Sequence, residues 1–118
     1  MVLVDTSVWV EHLRRGQREL ESLLDAGEVV WHPFVIGELA CGFIDNRKEI
    51  FSLLRLLPRA VEADHDEVMS FLERQRLMGR GLGWVDVHLM ASAILGGTPL
   101  WTLDRKLKLE SLRLGIAY

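Results

Sequence analysis

The apolar run Val2-Leu3-Val4 stops at Asp5, and beyond it apolar positions recur at helical rather than alternating intervals. This change of period predicts a short buried strand followed by a helix. Thr6 or Ser7 is expected to cap that helix, Val8, Trp9 and Leu13 to supply its apolar contacts, and Arg15 to lie near its end. Residues 17–26 place Leu20, Leu23 and Leu24 along one face of a second helix, stopped by Gly27. Glu28 to Trp31 reads as a second strand, and Pro33 suits the first turn of a helix carrying Glu38.

From Asp45 to Leu57 the apolar residues Ile50, Phe51, Leu53, Leu54 and Leu57 keep helical spacing, and Pro58 ends the run. A strand is expected from Arg59 to Ala63. Asp64 with Glu67 has the spacing of a capping box, opening a helix through about Met78. Gly79-Arg80-Gly81-Leu82-Gly83 is a loop, and the next helix runs from Trp84 to about Leu95, broken by Gly96-Gly97. Leu100 to Leu103 is a strand, and a last short strand is expected near Gly115 to Ala117.

Strands alternating with helices imply an α/β fold: a central parallel sheet flanked by helices in three layers. No repeat, linker or low-complexity tract divides the chain, so residues 1–118 are read as one domain. Open parallel sheets bind their ligands beyond the carboxyl ends of the strands. Asp5 and Asp104 both fall at such ends.

Composition narrows the classes. The chain has 118 residues, 49% of them hydrophobic and 26% charged, as in ordinary globular domains. A strand-like run directly follows Met1, so no signal peptide is expected, and no apolar stretch approaches a membrane span. Cys41 is the single cysteine, which excludes an internal disulfide and a thiolate zinc cage. These features together give a cytoplasmic expectation. The net charge of −3 disfavours a protein that coats nucleic acid, but not an enzyme that acts on it through bound cations. Basic residues come in groups: Arg14, Arg15 and Arg18; Arg47 and Lys48; Arg74, Arg76 and Arg80; Arg105, Lys106 and Lys108. Each group reads first as a solvated helix face.

The candidate chemistry lies in four acids set in apolar sequence: Asp5, Glu38, Asp86 and Asp104. Two carboxylates 5 Å apart repel by roughly 3 kcal/mol at an effective dielectric near 20, so a cluster of four calls for a cation. A hard divalent ion with oxygen ligands is the simplest partner. Asp86 shares a helix face with Leu89, Met90 and Ala93, which turns it inward. Local roles compete with this reading. Asp5 and Asp104 could be turn formers or caps, Glu38 a solvated helix residue, and Asp86 a first-turn carboxylate favoured by the helix dipole. Spacing alone leaves both readings open.

The surrounding words carry further information. Val2-Leu3-Val4-Asp5-Thr6-Ser7-Val8-Trp9 and His32-Pro33-Phe34-Val35-Ile36-Gly37-Glu38-Leu39-Ala40-Cys41-Gly42 resemble the opening motifs of PIN-domain ribonucleases, and most closely the VapC toxins of bacterial toxin–antitoxin pairs. Gly83-Trp84-Val85-Asp86-Val87-His88-Leu89-Met90-Ala91-Ser92-Ala93 and Leu100-Trp101-Thr102-Leu103-Asp104-Arg105-Lys106-Leu107 complete the family order. The resemblance spans essentially the whole chain. It implies a PIN-like fold and an endoribonuclease that hydrolyses RNA with magnesium or manganese. In its terms Asp5 and Asp86 hold the principal ion, Glu38 and Asp104 complete the acidic site, and Thr6 and Ser7 represent the hydroxyl after the first acid. It further implies a homodimer and a cognate antitoxin protein. Arg80, Arg105 and Lys106 are the candidates for guiding the RNA backbone.

Other phosphate chemistries fit less well. A haloacid-dehalogenase-type phosphatase needs a second Asp where Ser7 stands, and a response-regulator receiver needs an Asp that the stretch Phe51 to Ala63 lacks. The glycine loop at 79–83 is too short for a Walker A loop and has no Lys-Ser/Thr. His12, His32, His65 and His88 form no HExxH pair, and helical spacing turns His88 away from Asp86, toward the surface or a partner. The alternative from another class is a PIN-like protein-binding module without nuclease activity. The presence of all four acids favours the enzyme.

Overall fold

A computed structural model describes all residues from Met1 to Tyr118. The elements in order are β1 (Val2–Val4), α1 (Thr6–Arg15), α2 (Arg18–Asp25), β2 (Val29–Val30), α3 (Pro33–Ala40), α4 (Arg47–Leu54), α5 (His65–Arg74), α6 (Trp84–Gly96), β3 (Leu100–Trp101) and α7 (Arg105–Arg113). The three strands form one parallel sheet in the order β2-β1-β3. Val2 pairs with Val29 and Leu3 with Val30 on one side of β1, and Leu3 with Leu100 and Val4 with Trp101 on the other. Every strand residue is buried. Because successive strand residues face opposite ways, helices must cover both faces of the sheet, as expected of an α/β sandwich of this kind.

The order puts β1 in the middle. The chain leaves it through α1 and α2 to reach one neighbour, and leaves β2 through α3 to α6 to reach the other. The change of direction in the strand order falls between β1 and β3, so the carboxyl edge of the sheet there is where such folds bind their ligands. Leu3, Val8, Leu20, Val29, Val68, Leu89, Met90 and Leu107 are completely buried beneath it and form the centre of the core.

Several local expectations are corrected. The strand expected over Arg59 to Ala63 is a single bridge from Arg59 to Trp31, and the one near Gly115 to Ala117 is a single bridge from Ala117 to Leu100. The strand expected to reach Leu103 ends at Trp101, because Thr102 turns its hydroxyl into the site. The first helix begins after Asp5, and neither Thr6 nor Ser7 caps it: both hydroxyls are committed to carboxylates. Leu13 of that helix lies on the exposed side.

The fifth helix stops at Arg74, not near Met78. Arg76 takes a left-handed conformation, φ 52°, and Leu77 donates its N–H to the Leu72 carbonyl at 3.1 Å while Arg76 donates to Glu73 at 3.2 Å. This is the Schellman arrangement that glycine usually closes. It turns Leu77, 2% exposed, back into the core, so burial of one leucine outweighs the strain at Arg76. The capping box at Asp64 and Glu67 forms as its spacing foretold.

One whole element escaped the pattern. Arg105–Arg113 is a helix whose buried residues Leu107, Glu110 and Ser111 face the core. Its leucines at 107 and 109 alternate with Lys106 and Lys108, which imitates a strand, and its first turn is basic where helices favour acids.

Candidate functional site

Asp5 stands at the junction of β1 and α1 and is only 6% exposed. Its Oδ2 accepts two hydrogen bonds, from Ser7 Oγ at 2.8 Å and from Thr102 Oγ1 at 2.7 Å. Each of these hydroxyls is itself oriented by the backbone leaving β3. The N–H of Leu103 donates to Ser7 Oγ at 3.0 Å, and the N–H of Asp104 donates to Thr102 Oγ1 at 3.0 Å. Both hydroxyl protons therefore point at Asp5, whose Oδ2 acts purely as an acceptor. Its other oxygen, Oδ1, makes no hydrogen bond to the protein. Thr102 is a site residue the sequence reading missed. Its signal was a hydroxyl two positions before the acid in Trp101-Thr102-Leu103-Asp104, at a strand's carboxyl end.

The other three acids come from three helices. Glu38, exposed in the last turn of α3, is tied to α1 by Thr6, whose hydroxyl donates to Oε1 at 2.6 Å. Asp86, half-buried in the first turn of α6, accepts the Gly83 N–H on Oδ2 at 2.8 Å. This is the reach-back half of a capping box, since Gly83 has no side chain to return the bond. Asp104 is the N-cap of α7, accepting the Leu107 N–H on Oδ1 at 3.0 Å. For Asp86 and Asp104 the local capping role is therefore real, and it occupies one oxygen of each carboxylate while leaving the second free.

The charge of Asp86 responds to the other three acids. Burial pushes the Asp86 carboxyl above the usual carboxylate range; the Gly83 N–H pulls it down, and the charges of Asp5, Asp104 and Glu38 push it up again. All three acids named from sequence thus act on the fourth, which is the repulsion a cluster without a counter-ion must carry.

No three His, Cys, Asp or Glu side chains converge into a ready-made cation cage. The donors are carboxylate oxygens alone, with free oxygens on Asp5 and Asp86 and no imidazole or thiolate among them. That set fits a hard ion such as magnesium, which keeps several waters and takes few ligands from the protein. It does not fit zinc.

The histidine reading needs correction. His88 is not a surface residue: it is 6% exposed and packs edge-on between Phe34 and Trp84, with ring centroids 4.5 and 4.8 Å away. It does point away from Asp86, but the side it points to is covered by α3 rather than solvent. His32, also buried, caps α3 by accepting the Phe34 N–H on Nδ1, and its Nε2 has no hydrogen-bond partner. Burial holds this imidazole down at about 4; Glu62 pulls upward, and His88 and Arg59 press further down.

Of the basic candidates, Arg80 is engaged, its guanidinium 3.4 Å from the buried Glu110 of α7. Glu110 also holds Arg113 at 2.8 Å, and that bond above all keeps its carboxyl below the usual range despite burial. Arg80 is thus a brace between the glycine loop and α7.

Comparison with known proteins identifies the family. Residues 2–109 match the PIN domain family. Over 118 residues the chain is 48% identical to "Ribonuclease VapC32" of Mycobacterium tuberculosis, in strains CDC 1551 / Oshkosh and ATCC 25618 / H37Rv alike, covering 99% of this chain and 95% of each relative. Among solved structures, the crystal structure of PAE2754 from Pyrobaculum aerophilum superposes with a TM-score of 0.60. That match covers 97% of this chain and 88% of the other at 18% identity, and bears on the fold alone.

Proposed function

This chain belongs to the PIN-domain family, and from that membership we propose that it is a metal-dependent endoribonuclease, the toxin of a toxin–antitoxin pair. What supports the reading is Asp86, whose carboxyl is pushed above the usual range first by burial and then by the charges of Asp5, Asp104 and Glu38, so that the four acids act on one another near the carboxyl ends of β1 and β3. The relative named a ribonuclease, similar over nearly its whole length, supports RNA as the substrate.

Asp5 and Asp86 would hold a magnesium or manganese ion through their free oxygens. When bound, that ion supplies Lewis acidity, lowering the pKa of water and neutralising charge that develops on the phosphate. Ser7 and Thr102 keep Asp5 in one rotamer, so its Oδ1 is presented without reorganisation. The Gly83 N–H does the same for Asp86. Glu38 and the free oxygen of Asp104 accept hydrogen bonds from water and hold it at the site for attack on phosphorus. No covalent nucleophile is needed, and Ser7 and Thr6 are committed to carboxylates.

The partner is a cognate antitoxin. An Arg side chain from it suits the acidic groove, pairing with two carboxylate oxygens while excluding the cation. A homodimer accounts for apolar surface around α4: Phe43 is fully exposed, Leu56 80% and Leu53 55%. No helix is long and apolar enough to cross a membrane. With the lone cysteine, Cys41, free, this suits action in the cytoplasm.

Cleavage of a labelled RNA with added magnesium or manganese, then with chelator, tests the reading. Metal-dependent internal cuts that vanish in Asp86→Asn support it. Cleavage indifferent to chelator, or equal in the variant, overturns it.

A further inference from the structure

Lys106 lies across the backbone of Gly81. A methyl group built on Gly81 would meet Lys106 Cδ at 2.6 Å, Nζ at 2.9 Å and Cε at 3.1 Å, so the lysine stem uses the space that the missing side chain leaves. The two residues belong to segments that also carry the acids. Gly81 lies two residues before Gly83, whose N–H holds Asp86, and Lys106 lies two residues after Asp104. The ammonium group is thus seated between the backbones that present two of the four carboxylates.

No ion pair accounts for that seat. Lys106 forms no ion pair, unlike Arg80 beside it, and so does not neutralise the carboxylates. At the second position of α7 a cation opposes the helix dipole.

We infer that Lys106, seated on Gly81, is an RNA-backbone contact that binds a phosphate next to the one being cut, and that Gly81 is the positioning residue for it. This rests on the nuclease reading. An exposed ammonium between the segments that carry Asp86 and Asp104 attracts the anionic substrate where the acids alone repel it, and a point charge without a rigid fork suits a phosphate oxygen whatever the base. Arg80, held by Glu110, makes no comparable contact; the structure separates two cations that the sequence treats alike.

The loop supplies its own control. Gly79 and Gly81 both have left-handed backbone, φ 75° and φ 79°, so alanine strains either position to a similar degree. A methyl group on Gly79 meets nothing within 4 Å, whereas one on Gly81 displaces Lys106.

The experiment measures kcat, KM and the salt dependence of KM for a short single-stranded RNA, with melting temperatures alongside. Four variants are compared with wild type: Lys106→Ala, Gly81→Ala, Gly79→Ala and the double variant Lys106→Ala/Gly81→Ala. Lys106→Ala is expected to raise KM roughly three- to tenfold, to reduce the salt slope by about 1 and to leave kcat nearly unchanged. Gly81→Ala should shift KM in the same direction and Gly79→Ala should not, although both lower the melting temperature alike. The double variant should be no worse than Lys106→Ala, as coupled residues require. An unchanged KM and salt slope in Lys106→Ala, with wild type active, overturns this inference and leaves the nuclease reading intact. Equal KM values in Gly79→Ala and Gly81→Ala, or additive losses in the double variant, remove Gly81 from the role. A wild-type protein that neither binds nor cuts RNA overturns both readings.

Discussion

Thr102, 97 positions away in sequence, donates its hydroxyl to Asp5 at 2.7 Å, and both side chains are buried. The bond joins the ends of β1 and β3, and the Asp104 N–H fixes its direction by donating to the same hydroxyl. One threonine thereby links the placement of two of the four acids. Thr102→Val keeps the shape and removes the donor. It is expected to lower stability by about 1.5–3 kcal/mol, the range for a hydrogen bond to a charged group, and to slow RNA cleavage as well. Thr102→Ser, which keeps the hydroxyl, should retain most of both. Denaturant melts and cleavage rates for the pair check this; a fully active valine variant would remove Thr102 from the site.

Asp86→Asn should separate activity from stability. The folded protein raises the pKa of Asp86, so its charged form is disfavoured by folding. The stability associated with the protonated form is present below the unfolded pKa and is lost as pH rises through the raised folded value. At neutral pH without metal, asparagine should therefore leave the melting temperature unchanged or higher, while cleavage nearly disappears. A residue serving only to cap the helix would behave in the opposite way: the variant would melt lower and stay active.

Magnesium or manganese should raise the melting temperature of the wild type. A ligand at a hundred times its dissociation constant adds about 2.7 kcal/mol to the folded state. The rise should shrink in Asp5→Asn and in Asp86→Asn, each of which lacks one anionic ligand. Scanning calorimetry across millimolar manganese measures it. A flat response together with no binding heat in titration would argue against the metal site.

Mild acid should weaken the fold through His32. Burial holds the imidazole at about 4 in the folded protein, against 6.5 when unperturbed. Stability is complete above 6.5 and falls as pH drops from 6.5 to about 4, where the unfolded chain takes up a proton that the folded one refuses. The loss is at most about 3 kcal/mol. His32→Asn keeps an oxygen to cap α3 and removes the titration, so its stability profile should be flatter over that window. Chemical denaturation at half-unit pH steps reads the difference directly.

Leu56→Ser and Phe43→Ser should shift a dimer toward monomer without destabilising the protomer, because both side chains are exposed in the single chain. Sedimentation over a hundredfold concentration range is the measurement. A wild type that remains monomeric throughout would reject the homodimer.

The sequence by itself determined the parts that depend on neighbours along the chain. Val2-Leu3-Val4 is apolar on both faces and so had to be a buried strand. The Asp64–Glu67 spacing made a helix start, and Gly27 and Gly97 supplied left-handed stops where chirality penalises other residues. Asp5 could be placed at a strand end for the same local reason, whereas Asp104, expected at one too, lies beyond β3 as the N-cap of α7. Tertiary structure alone decided what distant residues do to one another. Asp5 acquired its donors from Ser7 and from Thr102, which no periodicity connects. His88 looked like a surface residue until Phe34 of α3 and Trp84 closed over it. Arg76 ended a helix where no glycine announced it, because Leu77 had to return to the core. The segment 105–113 became a helix against its alternating leucines, because burying Leu107, Glu110 and Ser111 together requires helical spacing. Local signals act through backbone preferences of a few tenths to about 1 kcal/mol per residue, whereas burying a leucine contributes about 2 kcal/mol, so where the two conflict packing decides.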